Sequence, residues 1–266
     1  MSEAIVITSG KGGVGKTTTT ANIGTALALM DKKVCLIDTD IGLRNLDVMM
    51  GLENRIIYDI VDVIEGRCNV QQALIQDKRF SSLSLLPAAQ THDKSAVTKD
   101  GMIAIVTELK QQYDYIIIDC PAGIEQGFEN AIAGADKAIV VTTPEKSSVR
   151  DADRIIGLIE QHEMERPRLI INRIRNHMMK EGDMLDIDDI VQILSIDLLG
   201  IVIDSDDVIK AANSGEPVAF QPNNKASIAY RNIARRILGE TVPLQTLEEE
   251  SGVFSKMRKF FGLQKK

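Results

Sequence analysis

The stretch A-I-V-I-T-S-G-K-G-G-V-G-K-T-T, Ala4–Thr18, decides the fold. Its apolar, β-branched opening suits a buried strand, a glycine-rich turn follows at once, and Lys16 begins a segment of helical length that reaches Met30. Strand, G-x-x-x-x-G-K-T and helix in that order make the phosphate-loop pattern in its required setting. The chemistry fixes the residue types. Glycines let the backbone curl so that successive N–H groups converge on phosphate oxygens, and the helix N-terminus adds partial positive charge. Lys11, Gly12, Gly13, Val14, Gly15, Lys16, Thr17 and Thr18 are therefore the expected nucleotide-binding residues. Lys16 is expected to pair with the β- and γ-phosphates, Thr17 to ligate Mg²⁺ and Thr18 to reach the α-phosphate.

Outward from this loop, short runs rich in Ile and Val alternate with helix-length segments. The strand candidates are Ala4–Ser9, Val34–Asp38, Leu83–Pro87, Tyr115–Asp119, Ala138–Thr142, Leu169–Asn172 and Leu198–Ile203. Most are apolar on both faces, as they must be where helices cover both sides of a parallel sheet. The helix candidates are Lys16–Met30, Tyr58–Glu65, Val97–Gln111, Val149–Glu160, Ile187–Leu194 and Ala226–Leu238. The alternation predicts an α/β domain, doubly wound, with a mostly parallel sheet and helices on both faces. One ATPase domain is expected over residues 1–243, then an acidic spacer over 244–252 and an amphipathic helix over 253–266.

Two further segments supply carboxylates. I-I-I-D-C-P-A-G, Ile116–Gly123, is an apolar strand ending in Asp119, the pattern of a Walker-B aspartate that holds a magnesium-bound water. L-I-D-T-D-I-G-L-R-N-L-D, Leu36–Asp47, ends a strand in Asp38 and places Asp40 two residues on, on the same side. Aspartates at strand ends also serve as turn formers and helix caps. Carboxylates at the C-terminal ends of parallel strands, however, converge on the nucleotide crevice. For the base, Leu169–Arg175 ends a strand in Asn172-Arg173, either to read the purine edge or only to form a turn. Arg175 stands where guanine-binding N-K-x-D motifs carry aspartate, which favours ATP over GTP.

Several classes are disfavoured. Lys and Arg number 31 against 38 Asp and Glu, a net charge of −7 that argues against a broad nucleic-acid footprint. Cys35, Cys68 and Cys120 are far apart with no C-x-x-C pair, so disulfides, zinc and iron–sulfur clusters are not expected. No apolar run approaches the roughly 20 residues of a bilayer span. Met1–Gly10 has no basic n-region and reads as a buried first strand rather than a signal peptide, so a cytoplasmic chain is expected.

The C-terminus carries a separate signal. Val253, Phe254, Met257, Phe260 and Phe261 fall within roughly a 120° arc at 100° per residue. Lys256, Arg258 and Lys259 lie on or beside the other face, Lys265 and Lys266 add charge, and no acid follows Glu250. An apolar stripe in a terminal helix commonly packs on the core. Adjacent phenylalanines and five basic residues behind an acidic spacer favour instead an interfacial helix on an anionic membrane surface.

The extra lysine at the start of the loop, Lys11 in K-G-G-V-G-K-T-T, resembles the deviant Walker A of the ParA/MinD ATPases. D-x-D-I-G-L-R-N-L-D and D-x-P-A-G-I-E resemble the septum-site-determining branch of that family, and the similarity runs from residue 4 to the tail. The resemblance implies a homodimer formed around ATP. In it Lys11 reaches the partner's phosphates and Asp40 orients the attacking water, beside magnesium held by Thr17 and, through water, Asp38 and Asp119. It implies a protein peripheral on the inner face of the cell membrane, recruiting a MinC-like septum inhibitor and positioned by a MinE or DivIVA-type system. Ser147–Arg154 resembles the MinC-contacting region, and reads equally as a solvated helix start with a Ser cap. Ile203–Ala212 resembles the second base loop of the family, with Ile203 where many relatives have proline. A ParA-type partition ATPase, a flagellar-number regulator, an iron–sulfur carrier on the same fold and a scaffold with a dead site are the rival readings. The acidic balance and tail speak against the first, the cysteines against the third, and intact Lys11, Lys16 and Asp40 against the last.

Overall fold

The computed structural model describes residues 2–162 and 164–245. The expected tail helix, and the expected spacer beyond residue 245, lie outside the described residues. The strands are β1 Glu3–Thr8, β2 Val34–Asp38, β3 Ile75–Gln76, β4 Leu83–Leu86, β5 Tyr115–Asp119, β6 Lys137–Thr142, β7 Arg168–Ile174 and β8 Leu198–Ile203. They form one sheet in the order β3-β4-β2-β5-β1-β6-β7-β8, parallel except for the short edge pair β3–β4. β1 lies between β5 and β6, so the loop that leaves it emerges near the middle of the sheet where the winding reverses.

The unbroken apolar strands are explained by two cores. Ala4 and Val6 of β1 face one, while Ile5 and Ile7 face the other, because successive side chains alternate across the sheet. Helices Lys99–Leu109, Lys146–Gln161 and Ile187–Leu194 cover the first face; Lys16–Ala28, Asp206–Asn213 and Lys225–Ile237 cover the second. Full burial of an isoleucine such as Ile5 or Ile7 contributes about 1.5–3 kcal/mol, which holds β1 rigidly behind the loop.

The expected strands are all present, and β3 is an addition. Helices Leu46–Met50, Val70–Ala73, Gln126–Ala133, Asn176–Glu181 and Asp206–Asn213 were also absent from the sequence pattern. The helix expected from Val149 starts three residues earlier, and its N-cap is Glu145 without a side-chain capping bond. The expected Ser cap is not formed. Ser148 instead turns inward, its Oγ accepting from the Thr142 hydroxyl at 3.1 Å and the Thr143 N–H at 3.2 Å.

Candidate active site

The loop after β1 is built as a receptor for phosphate. Gly13 (φ 79°) and Gly15 (φ 98°) occupy the left-handed region, where a side chain is strained. Gly15 caps helix Lys16–Ala28 without any side-chain bond and no acid lies in its first turn, so the leading N–H groups point outward with the helix dipole behind them. The loop is also braced from behind. Asn172 Nδ2 donates to the Val14 carbonyl at 2.8 Å, and a Cβ on Gly15 would stand 2.3 Å from the same nitrogen. A Cβ on Gly10 would stand 2.1 Å from the Asp151 carbonyl oxygen in helix Lys146–Gln161.

The two lysines of the loop have different surroundings. Lys16 is buried, and its Nζ donates to Ser9 Oγ at 3.0 Å. Ser9 Oγ in turn donates to the Lys11 carbonyl at 2.8 Å. Lys11 is 42% exposed; its Nζ donates to Ser147 Oγ at 3.2 Å and lies 3.7 Å from a Glu145 carboxylate oxygen at the start of helix Lys146–Gln161.

Asp38 and Asp119 are register partners at the ends of β2 and β5, and both are buried. Asp38 accepts from the Asp40 N–H at 2.9 Å and the Leu46 N–H at 3.2 Å, which ties it to the start of helix Leu46–Met50. Asp119 accepts from Thr20 Oγ1 at 3.2 Å and from the Thr17 hydroxyl. Burial pushes the Asp38 carboxyl above its ordinary range and the charge of Asp119 adds to this. Burial likewise pushes Asp119 up, opposed by Thr17 and by the positive charge of Lys16. Two buried carboxylates and a hydroxyl form an all-oxygen set suited to a hard divalent cation. Among the described residues no group of three or more His, Cys, Asp and Glu encloses a metal. Magnesium is a hard cation that keeps several waters and is shared with substrate phosphates. Asp40, two residues past Asp38, is half-buried, and its charge is felt at Asp38 and Asp119.

Beside the loop is a cavity of about 370 Å³, of the size that holds small ligands. Gly15, Thr18 and Met49 line one side, and Asn172, Arg173 and the segment from Val202 to Asn213 line the other. Asn172 lies inside β7 rather than in a turn, at an irregularity where Arg173 adopts φ 55°. Arg175 is at the rim, its Nε donating to Asp204 Oδ2 at 2.7 Å. Thr18 lines the same cavity, with its hydroxyl 3.7 Å from Met49 Sδ. The structure thus gathers Lys11 to Thr18, Asp38, Asp40, Asp119 and Asn172 around one end of the sheet. Sequence reading missed the parts that Ser9 and Thr20 take in the site. Thr20 had a signal, since it stands one helical turn beyond Thr17 on the same face.

An AAA domain family model matches residues 2–171. The septum site-determining protein MinD of Bacillus subtilis is 71% identical over 99% of this chain and 100% of its own length. The chain belongs to the MinD family of septum site-determining ATPases. The MinD of the Aquifex aeolicus MinC:MinD complex is 51% identical, covers 92% of this chain and 99% of its own, and superposes with a TM-score of 0.86. The Pyrococcus horikoshii MinD complexed with Mg-ADP is 27% identical, with 89% and 96% covered and a TM-score of 0.82. As in these MinD structures, the fold here is a P-loop sheet covered by helices on both faces, and the protein is an ATPase of division-site placement.

Proposed function

We propose that the protein is a switch in which Mg-ATP joins two copies, the joined copies hold an anionic membrane surface through residues 253–266, and hydrolysis releases them. The observation that carries this reading is the contrast between the loop lysines: Lys16 is buried within its own site, while Lys11 is held only by exposed contacts to Ser147 and Glu145. An exposed pair of that kind contributes roughly 0–1 kcal/mol, so exchanging it for phosphate oxygens of a second copy costs little. In this scheme the loop N–H groups and Lys16 bind the β- and γ-phosphates, Lys11 arrives from the partner, and Asp40 orients the attacking water. Thr17, with Asp38 and Asp119 through water, would hold magnesium, which neutralises phosphate charge when bound. Asn172 and the Ile203–Ala212 segment would bound the adenine pocket.

The Aquifex complex supports a MinC-type partner, for which the face around Ser147–Arg154 is the proposed contact; a MinE or DivIVA-type system would position the assembly. Among the described residues no helix is long and apolar enough to cross a membrane. One short amphipathic helix binds weakly, and two on one dimer gain from effective concentration. Sedimentation with anionic vesicles tests this directly. The full chain is expected to pellet with ATP and not ADP, and a chain ending at Gly252 with neither. Pelleting that ignores nucleotide or survives the truncation contradicts the scheme.

A further inference from the structure

Next to the cavity proposed above as the base site, one guanidinium ties together the ends of two helices that line it. Helix Leu46–Met50 contributes to one wall through Met49, and helix Asp206–Asn213 contributes to the other through Ile209 and Asn213. Arg79 Nη2 donates to the Met50 carbonyl at 2.9 Å and Nη1 to the Gly215 carbonyl at 3.2 Å, each one or two residues beyond those wall positions. The Met50 carbonyl ends helix Leu46–Met50, where partial negative charge favours a cation, and Gly215 follows Ser214, the C-cap of helix Asp206–Asn213.

Arg79 is itself held by a carboxylate and an aromatic ring. Asp77, fully buried at its side chain, accepts from Nε at 3.0 Å and Nη2 at 2.7 Å, a two-point grip that a lysine has no geometry to copy. The guanidinium carbon is 4.5 Å from the centre of the Phe220 ring, which stacks on Phe80. The hairpin β3–β4, anchored by the Asp77 N–H on the Leu83 carbonyl at 2.8 Å, presents these residues at the sheet edge beside β2. The two tied loops touch backbone to backbone: a Cβ on Gly215 (φ 65°) would stand 2.7 Å from Gly51 Cα. Arg79, Asp77 and Phe220 lie outside the phosphate loop, and the helix that Arg79 holds meets that loop through Met49 at Thr18. We infer that Arg79 is a positioning residue that sets the spacing of the base-site walls, and so acts on nucleotide affinity through the base and not through the phosphates.

This rests on the reading of the cavity as the base site, and the test separates the two. Binding of Mg-ADP and of Mg-pyrophosphate to the full chain is measured by calorimetry, beside the thermal midpoint of each protein. Arg79→Lys is expected to weaken Mg-ADP about tenfold and Mg-pyrophosphate less than about twofold. Gly215→Ala keeps Arg79 but wedges the loops apart, and is expected to give the same base-selective loss even if Arg79→Lys folds poorly. A wild type that binds ADP no more tightly than pyrophosphate overturns the base-site reading and the inference with it. A wild type that prefers ADP, with variants that lose both ligands equally or lose neither, overturns the role of Arg79 alone.

Discussion

Lys16 and Lys11 sit five residues apart in one loop, yet one is locked and the other is parked. Lys16 is buried, bonds to Ser9, and lies close enough to Asp119 to lower that carboxyl's otherwise raised pKa. Lys11 rests on the exposed start of helix Lys146–Gln161 and shares only solvent-screened contacts. Identical side chains in one loop thus differ in burial, and the proposed scheme gives the buried cation to its own site and the exposed one to a second copy.

Four substitutions test how differently the two lysines are held. The largest effect belongs to Lys16→Ala, which removes the locked cation and leaves Asp38 and Asp119 facing each other; ATP hydrolysis is expected to fall at least about 10³-fold and equilibrium nucleotide binding to become undetectable at micromolar protein. Gly10→Ala comes next. Its Cβ has no room against the Asp151 carbonyl, so the loop and helix Lys146–Gln161, which hold the two lysines, must part; chemical denaturation should show a loss of about 1–3 kcal/mol.

Asp38→Asn acts in the opposite sense. The folded-state pKa of Asp38 is raised, so in metal-free protein the stability tied to its bound proton is present at acid pH. That stability is lost as pH rises from the ordinary carboxylate range, about 4, through the elevated folded value. The variant should therefore melt higher than wild type in EDTA at pH 8, the gap closing towards pH 5, while its hydrolysis is lost. A variant that melts lower at pH 8 would show that the carboxylate is not under strain. The smallest effect is that of Glu145→Gln, which removes an exposed partner of the parked lysine: stability should change by less than about 1 kcal/mol by denaturation. A larger loss would mean Lys11 is locked too.

The central part of the fold was readable because its signals are local. β1, the glycine loop and the following helix are contiguous, and the strands that carry Asp38 and Asp119 are unbroken apolar runs. β3 was not readable, since two residues, Ile75 and Gln76, carry no period. Helix Asp206–Asn213 was overlooked although Ser205 caps it and Asp206 and Asp207 open it; over eight residues Val208, Ala211 and Ala212 are too few to establish a period. Asn172 was legible as a candidate residue but not as the brace of Val14, because that bond spans 158 positions. The ties from Arg79 to Met50 and Gly215 are likewise non-local, and nothing in the spacing of charged residues announces them.

The measurement that tests the account most directly is solution mass by light scattering in saturating Mg-ATP, comparing Asp40→Ala with the double variant Lys11→Ala, Asp40→Ala. If Lys11 is the group supplied across two copies, Asp40→Ala should run at twice the monomer mass and the double variant as a monomer that still binds nucleotide. A double variant that remains at twice the monomer mass would contradict the account.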